Sequence, residues 1–238
     1  MSKPIESYES GKYFENNPTW DEEDSPWKAL QVRKLMSRNQ LAPRSIVEVG
    51  CGAGGVLAAL YDSLPESTKF VGYEIAPDAC SFWGKHKDKG INFLLGDFLL
   101  EKNLHFDVLM LLDVVEHVPN PFDFLTAMSG RADYYVFHIP LDLSALDVLR
   151  EFPLLNVRKK VGHIHYFTKG LALSLLEECG YEVLDTFYTA AYASAPRTNW
   201  KKRLALLPRY LINKVLPDFG VRLLGGDTLM VLAKIRHQ

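Results

Sequence analysis

Between residues 45 and 139 the chain sets short apolar runs against longer stretches of mixed character. The runs are SIVEV (45–49), KFVGYEI (69–75), INFLL (91–95), FDVLMLL (106–112) and DYYVFHI (133–139), each rich in β-branched or aromatic residues. A strand with one wet face alternates apolar and polar side chains, whereas a nearly unbroken apolar run marks a strand covered on both faces. Each neighbouring pair of runs is separated by helical or loop character. The pattern therefore predicts parallel strands joined by crossovers, a doubly wound α/β sheet.

The flanks extend this reading. Ser25-Pro26 reads as an N-cap followed by proline at the first helical position, opening a helix through WKALQVRKLMSRNQ (27–40) that stops before Pro43. Thr168 is expected to cap KGLALSLLEECG (169–180), with Gly180 ending it in the place favoured for a left-handed residue. YEVLDTFYTA (181–190) and DTLMVLAKI (227–235) are two further strands without a crossover of the usual kind between them. Residues 1–24 are polar, carry Tyr8, Tyr13, Phe14 and Trp20, and end in DEED. That is a poor core but a possible lid, leaving residues 25–238 as one domain. Within the domain, RTNWKKRLALLPRYLINKVL (197–216) mixes basic residues with an apolar stripe interrupted by Pro208, and a helical insertion is expected over about 197–219. Three uses are open to it: a packing helix pair, a substrate cap or a membrane-surface element. Packing is favoured, because amphipathic helices usually bury their apolar face in their own protein.

Composition narrows the function classes. The chain has 238 residues, 47% hydrophobic, enough for one substantial core. Its 27 basic and 29 acidic residues nearly balance, so no overall field favours nucleic acid, and a small-molecule partner is expected instead. Cys51, Cys80 and Cys179 are few, odd in number and far apart, which suits reduced thiols better than disulfides or zinc. The first residues lack the apolar core of a signal peptide, and a cytoplasmic location is expected. Composition leaves the oligomeric state open.

The chemistry begins in IVEVGCGAGG (46–55), where Gly50, Gly52 and Gly55 fit the G-x-G-x-x-G spelling of dinucleotide loops. In a doubly wound sheet the ligand sits beyond the carboxyl end of the first strand, where glycines admit the backbone and the next helix presents free N–H groups. Glu48, just before the loop, instead suits a ligand bearing an ammonium group. Glu74 ends the second strand, where an acid accepts from ribose hydroxyls in either ligand class. Asp97 and Phe98, after the third strand, suit an adenine amino group and the adenine ring, a contact nicotinamide enzymes do not usually place there.

Taken in order, E-x-G-x-G-x-G, the acid of GYEIAP, GDF and FDVLMLLDVVEHVPNP resemble the class I S-adenosylmethionine-dependent methyltransferases, in particular the branch containing the ubiquinone-biosynthesis O-methyltransferases. The resemblance spans about residues 45–190 and the final strand. It implies a Rossmann-like, mostly parallel seven-stranded sheet of order 3-2-1-4-5-7-6 with strand 7 antiparallel. It also implies that Glu48, Gly50, Gly52 and Gly54 hold the methionine end of S-adenosylmethionine. Glu74 and Ile75 would then lie at the ribose, Asp97 and Phe98 at the adenine, and Leu112 and Asp113 beside the sulfonium. In this family an insertion between the last two strands borders the acceptor pocket. Two rival readings stand beside it: a nicotinamide-dependent oxidoreductase, and a module that binds S-adenosylmethionine without catalysis.

Methyl transfer from a sulfonium is an in-line displacement, so the protein must position the nucleophile and exclude water. A small-molecule hydroxyl is the expected acceptor, ahead of nitrogen or carbon. His117 in VVEHVPNP, and His163 and His165 in GHIHYF, are the candidate general bases, with His138 a further histidine at a strand end. Strand-like alternation would turn His163 and His165 to one face, and His165 is the first choice. Those two with Glu116 or another acid would make a metal site, but no strong signal marks the third ligand and no metal is expected. His86, His105 and His237 are expected to be solvated surface residues.

Overall fold

The computed structural model describes residues 14, 15, 17–190 and 207–236, without the side chains of 207 and 208. A seven-stranded sheet forms the middle layer, from β1 (Ser45–Val49), β2 (Lys69–Glu74), β3 (Asn92–Leu95), β4 (Phe106–Leu112), β5 (Ala132–Pro140), β6 (Tyr181–Tyr188) and β7 (Thr228–Ile235). Its order is β3-β2-β1-β4-β5-β7-β6, the order and topology expected. The β1 pairings with β2 and β4 are parallel, as are β2 with β3 and β4 with β5, while β7 runs antiparallel to both β5 and β6.

Both faces of the central strands are covered, which is why their sequences read as unbroken apolar runs. Leu109 and Leu111 of β4 enter one core layer with Leu125, Leu175 and Leu176, while Val108, Met110 and Leu112 enter the other with Val32, Leu35 and Leu57. Those partners lie on α1 (Ser25–Arg38) and α2 (Gly55–Tyr61) on one face, and on α4 (Pro121–Met128) and α7 (Lys169–Glu178) on the other. The short helix α3 (Cys80–Trp83) follows β2, and α5 (Ala145–Arg150) and α6 (Phe152–Lys160) follow β5. In α1 the buried Ala29, Val32, Leu35 and Met36 form a stripe of helical spacing. Each fully buried aliphatic side chain there is worth about 1.5–3 kcal/mol.

Several boundaries differ from the sequence reading. Helix α1 begins at Ser25 itself, with Asp24 at the N-cap position making no side-chain cap, and Pro26 follows in the first turn. Thr168 caps α7 as expected, its hydroxyl accepting from the Leu171 N–H, and Gly180 sits at φ 88°. The insertion before β7 contains α8 (Leu207–Val215) and α9 (Pro217–Leu224), so it reaches beyond 219. Arg209 of α8 donates to the Leu224 carbonyl at 2.6 Å, which ties the two helices together. Among the described residues no helix is long and apolar enough to cross a membrane.

Candidate active site

Strand order reverses between β1 and β4, and loops leaving these two strands in opposite directions open the crevice that doubly wound sheets use for ligands. A cavity of about 950 Å³ lies there. One wall is the glycine loop. Gly50, Gly52 and Gly54 all have positive φ (79°, 50° and 79°), a region L side chains avoid. A Cβ on Gly52 would also stand 3.3 Å from the Trp20 ring. The loop is held from both sides, the Gly52 N–H donating to Glu74 Oε2 at 2.9 Å and its carbonyl accepting from Trp83 Nε1 at 2.9 Å. Glu74 also accepts from the Ile75 and Ala76 N–H groups at 2.8 and 3.0 Å. Burial pushes its carboxyl up, against those backbone donors.

Glu48 lies on the α1 face of β1, in phase with Ile46. It is buried, its Oε2 has no hydrogen-bond partner among the described residues, and burial raises its pKa to about 8 against the pull of Lys28. A buried carboxylate left this way is costly unless a cation arrives. Asp113 leaves β4 at φ 56° and binds Lys28 Nζ at 2.7 Å and His138 Nδ1 at 2.8 Å. Burial alone would raise the Asp113 carboxyl, but His138 and Lys28 hold it well below the usual range. Burial likewise works against the charge on Lys28, and Asp113 overrides it.

Beyond Asp113 the chain makes one turn and places Glu116 and His117 beside His163. His117 Nε2 and His163 Nε2 lie 3.8 and 3.9 Å from Glu116 Oε1, and the two rings meet edge to face with centroids 4.9 Å apart. Each ring is oriented by its other nitrogen, His163 Nδ1 against Asp142 Oδ2 at 2.6 Å and His117 Nδ1 against the Gly162 carbonyl at 3.2 Å. Glu116 is 1% exposed, and neither carboxyl oxygen has a hydrogen-bond partner among the described residues. Burial and the Asp113 charge push its carboxyl well up, while burial and His163 lower His117 to about 4.

Most of the expected residues meet at this cavity: Glu48, Gly50, Gly52, Glu74, Ile75 and Asp97 along one side, Leu112, Asp113, His117 and His163 along the other. Four expected residues are placed otherwise than the pattern suggests. Gly54 is not in the wall; it precedes α2, where a Cβ would meet the Phe93 ring at 2.5 Å. Phe98 borders the cavity, with its side chain 1% exposed and edge-on to Tyr73 at 5.0 Å. His165 is absent from the wall, because residues 162–168 form no strand and its Nε2 turns to the Val118 carbonyl at 2.9 Å. The histidines that stand beside Glu116 are His117 and His163, not His165. His86 is not solvated as expected; its Nε2 is buried and its ring lies 6.2 Å from that of Phe93.

Two residues were not foreseen, Lys28 in the wall and Asp142 behind His163, neither of which carries a motif. Trp20, of the segment expected as a lid, borders the cavity with Asp21 and Asp24. Tyr13, His237 and residues 197–206 of the insertion lie outside the described residues.

The fold and the crevice define a Rossmann-like methyltransferase. Over residues 23–186 the chain matches the family model of the methyltransferase domain, and it belongs to that family. Similar solved structures include magnesium protoporphyrin IX methyltransferase from Synechocystis PCC 6803 with bound S-adenosylhomocysteine, at 12% identity over 89% of this chain and 83% of that one, TM-score 0.60. The N-methyltransferase NodS from Bradyrhizobium japonicum WM9, also with S-adenosylhomocysteine, matches at 13% identity over 99% and 100%, TM-score 0.61. The plantazolicin methyltransferase BpumL matches at 12% over 99% and 97%, TM-score 0.62. Comparison with curated proteins finds no match. The protein is an S-adenosylmethionine-dependent methyltransferase, and the dinucleotide reading of Gly50, Gly52 and Gly55 falls away.

Proposed function

We propose that the protein methylates a hydroxyl oxygen of a small molecule. The observation that carries this is the division of one cavity into two chemically different ends. At the first end, Glu48 offers an unpartnered buried oxygen to the cofactor's ammonium group, and the backbone at Gly50 and Gly52 admits its methionine portion. Glu74, already fixed by three backbone donors, has lone pairs left for ribose hydroxyls, and the exposed Asp97 takes the adenine amino group. S-adenosylmethionine supplies an electrophilic methyl group when bound. The remaining work of the chain is to bring a nucleophile in line and keep water out.

At the second end the side chains are Asp113, His117 and His163, oxygen and imidazole groups suited to hydrogen-bond a hydroxyl. The resemblance of DVVEHVPNP to the ubiquinone-biosynthesis O-methyltransferases supports the same acceptor chemistry. Residues 17–24, with Trp20 beside the glycine loop, act as a lid, and α8 with α9 helps select the acceptor. A panel of small hydroxyl, amine and activated-carbon compounds, incubated with methyl-labelled S-adenosylmethionine, tests this. Label recovered as a methyl ether is expected; label recovered only on nitrogen or carbon overturns it.

A further inference from the structure

We propose that Glu116, His117 and His163 bind one divalent transition-metal ion at the acceptor end of the cavity. One atom from each of the three lies within 4.8 Å of the others. The ring nitrogens stand 3.8 and 3.9 Å from Glu116 Oε1. Tetrahedral ligands at about 2.0–2.1 Å from a zinc-sized ion are about 3.4 Å apart, so side-chain shifts of about half to one and a half ångströms close the site.

Three independent features point to a cation. Glu116 is almost fully buried with both carboxyl oxygens unpartnered among the described residues, although its neighbours are two histidines aimed at it. Both imidazoles meet an acceptor through Nδ1, one a carboxylate and one a backbone carbonyl. That is how metal-bound histidines are oriented, and in both rings Nε2 is the nitrogen facing Glu116. The donor set, two imidazoles and one carboxylate, suits zinc, manganese, iron or cobalt better than magnesium or calcium, which prefer all-oxygen shells.

Three protein ligands leave coordination positions open, and His117 and His163 line the cavity. An acceptor hydroxyl takes an open position there. The metal lowers the hydroxyl's pKa and its proton passes to water. An oxygen lone pair then forms the O–CH3 bond as the S–CH3 bond breaks onto sulfur, giving the methyl ether and S-adenosylhomocysteine. This acceptor step rests on the hydroxyl reading above; the metal site does not.

Titration of the purified full chain with Co2+, in the presence of S-adenosylhomocysteine, tests the site by its visible absorption. Saturation at one ion per chain is expected. Glu116→Gln and His163→Ala should each weaken binding by about a hundredfold or more, and Asp142→Asn by about ten- to a hundredfold. His105→Ala, on the exposed surface, should leave it unchanged. S-adenosylhomocysteine affinity, measured calorimetrically, reports whether each variant is folded. The same titration with Zn2+ and Mn2+, read calorimetrically, extends it to the other ions. No saturable binding of any of the three by the wild type, or unchanged binding in folded Glu116→Gln, overturns the metal site. If the metal binds but no hydroxyl compound is methylated, the hydroxyl reading fails and the site stands.

Discussion

The two ends of the cavity are built by opposite means. At the cofactor end polar groups are held by nearby backbone: Glu74 accepts from Ile75, Ala76 and Gly52, and Gly50 and Cys51 both donate to the Tyr73 carbonyl. At the acceptor end side chains hold side chains brought from distant elements. Asp113 meets Lys28 of α1 and His138 of β5, His163 meets Asp142, and Glu116 stands among histidines with its oxygens unpartnered among the described residues. Backbone-built sites need glycines and an acid at fixed spacings, whereas side-chain networks need only that the fold bring the right groups together. The first end is therefore rigid and generic. The second carries charges whose removal is expensive.

The largest effect is expected where that network is cut. Lys28 and Asp113 are 20% and 23% exposed, so their pairing is largely buried. Lys28→Met removes one partner and should cost about 3 kcal/mol in denaturant unfolding, because the buried Asp113 is left with His138 alone against its charge. The more exposed Lys85–Glu22 pair is the control, and Lys85→Met should cost under about 1 kcal/mol. Equal losses in the two variants would show that the acceptor-end network does not differ from an ordinary surface pair.

Next is Gly52→Val. A β-branched residue at φ 50°, with its Cβ 3.3 Å from Trp20, strains the loop by about 1–3 kcal/mol and fills the approach to the ligand. Cofactor affinity, measured by calorimetry, should fall by about a hundredfold while the chain remains folded. Retained affinity would mean that the loop does not face the cofactor.

The same contrast explains what was readable in the chain. All seven strands and the cavity-lining Glu48, Gly50, Gly52, Glu74 and Asp97 were legible, since each is marked by local hydrophobic pattern or by position at a strand end, whereas the strand order came only from the family resemblance. Lys28 was not, because a lysine on a helix carries no sign of a partner on a loop far along the chain. His163 and His165 were set on one face by alternation, with His165 preferred, and alternation fails where no strand forms; which of the two meets the cavity depends on Glu116 O accepting from the N–H groups of Ile164 and His165, a tertiary contact. The orientation of Phe98 was not legible: its position after β3 borders the cavity, but the Tyr73 and Phe106 rings of β2 and β4 pack against it.

A pH profile sharpens the comparison at the cofactor end. In the ligand-free protein burial holds the Glu48 pKa near 8, so the group is mostly protonated at neutral pH. A cationic ligand favours the ionised form, and binding then releases a proton. Affinity should therefore rise as pH rises toward about 8, by up to about tenfold per unit, and level off above it. Glu48→Gln should bind more weakly above that point and lose this pH-dependent increment. The raised pKa also costs the ligand-free fold stability, beginning near the ordinary value of 4.5 and complete above about 8. Relative to wild type, Glu48→Gln should accordingly gain more in melting temperature at pH 9 than at pH 5. Parallel profiles for wild type and variant would assign the titration to another group.

The smallest effect is expected at the segment before α1, which touches the cavity without belonging to the sheet. Trp20 adopts φ 52° and Asp21 φ 49°, placing the indole against the glycine loop while Asp21 and Asp24 face the same space. Apolar cover of this kind excludes water from a site without making directional bonds to what lies beneath. Trp20→Ala should then weaken cofactor binding only severalfold, with most of the loss in a faster dissociation rate. Product should also slow proteolysis near residues 17–24 in the wild type and protect less in the variant. Stopped-flow release of S-adenosylhomocysteine measures the first effect and limited digestion the second. If release is unchanged and digestion is indifferent to product, the segment is ordinary surface structure and the cavity is closed by the acceptor-end helices instead.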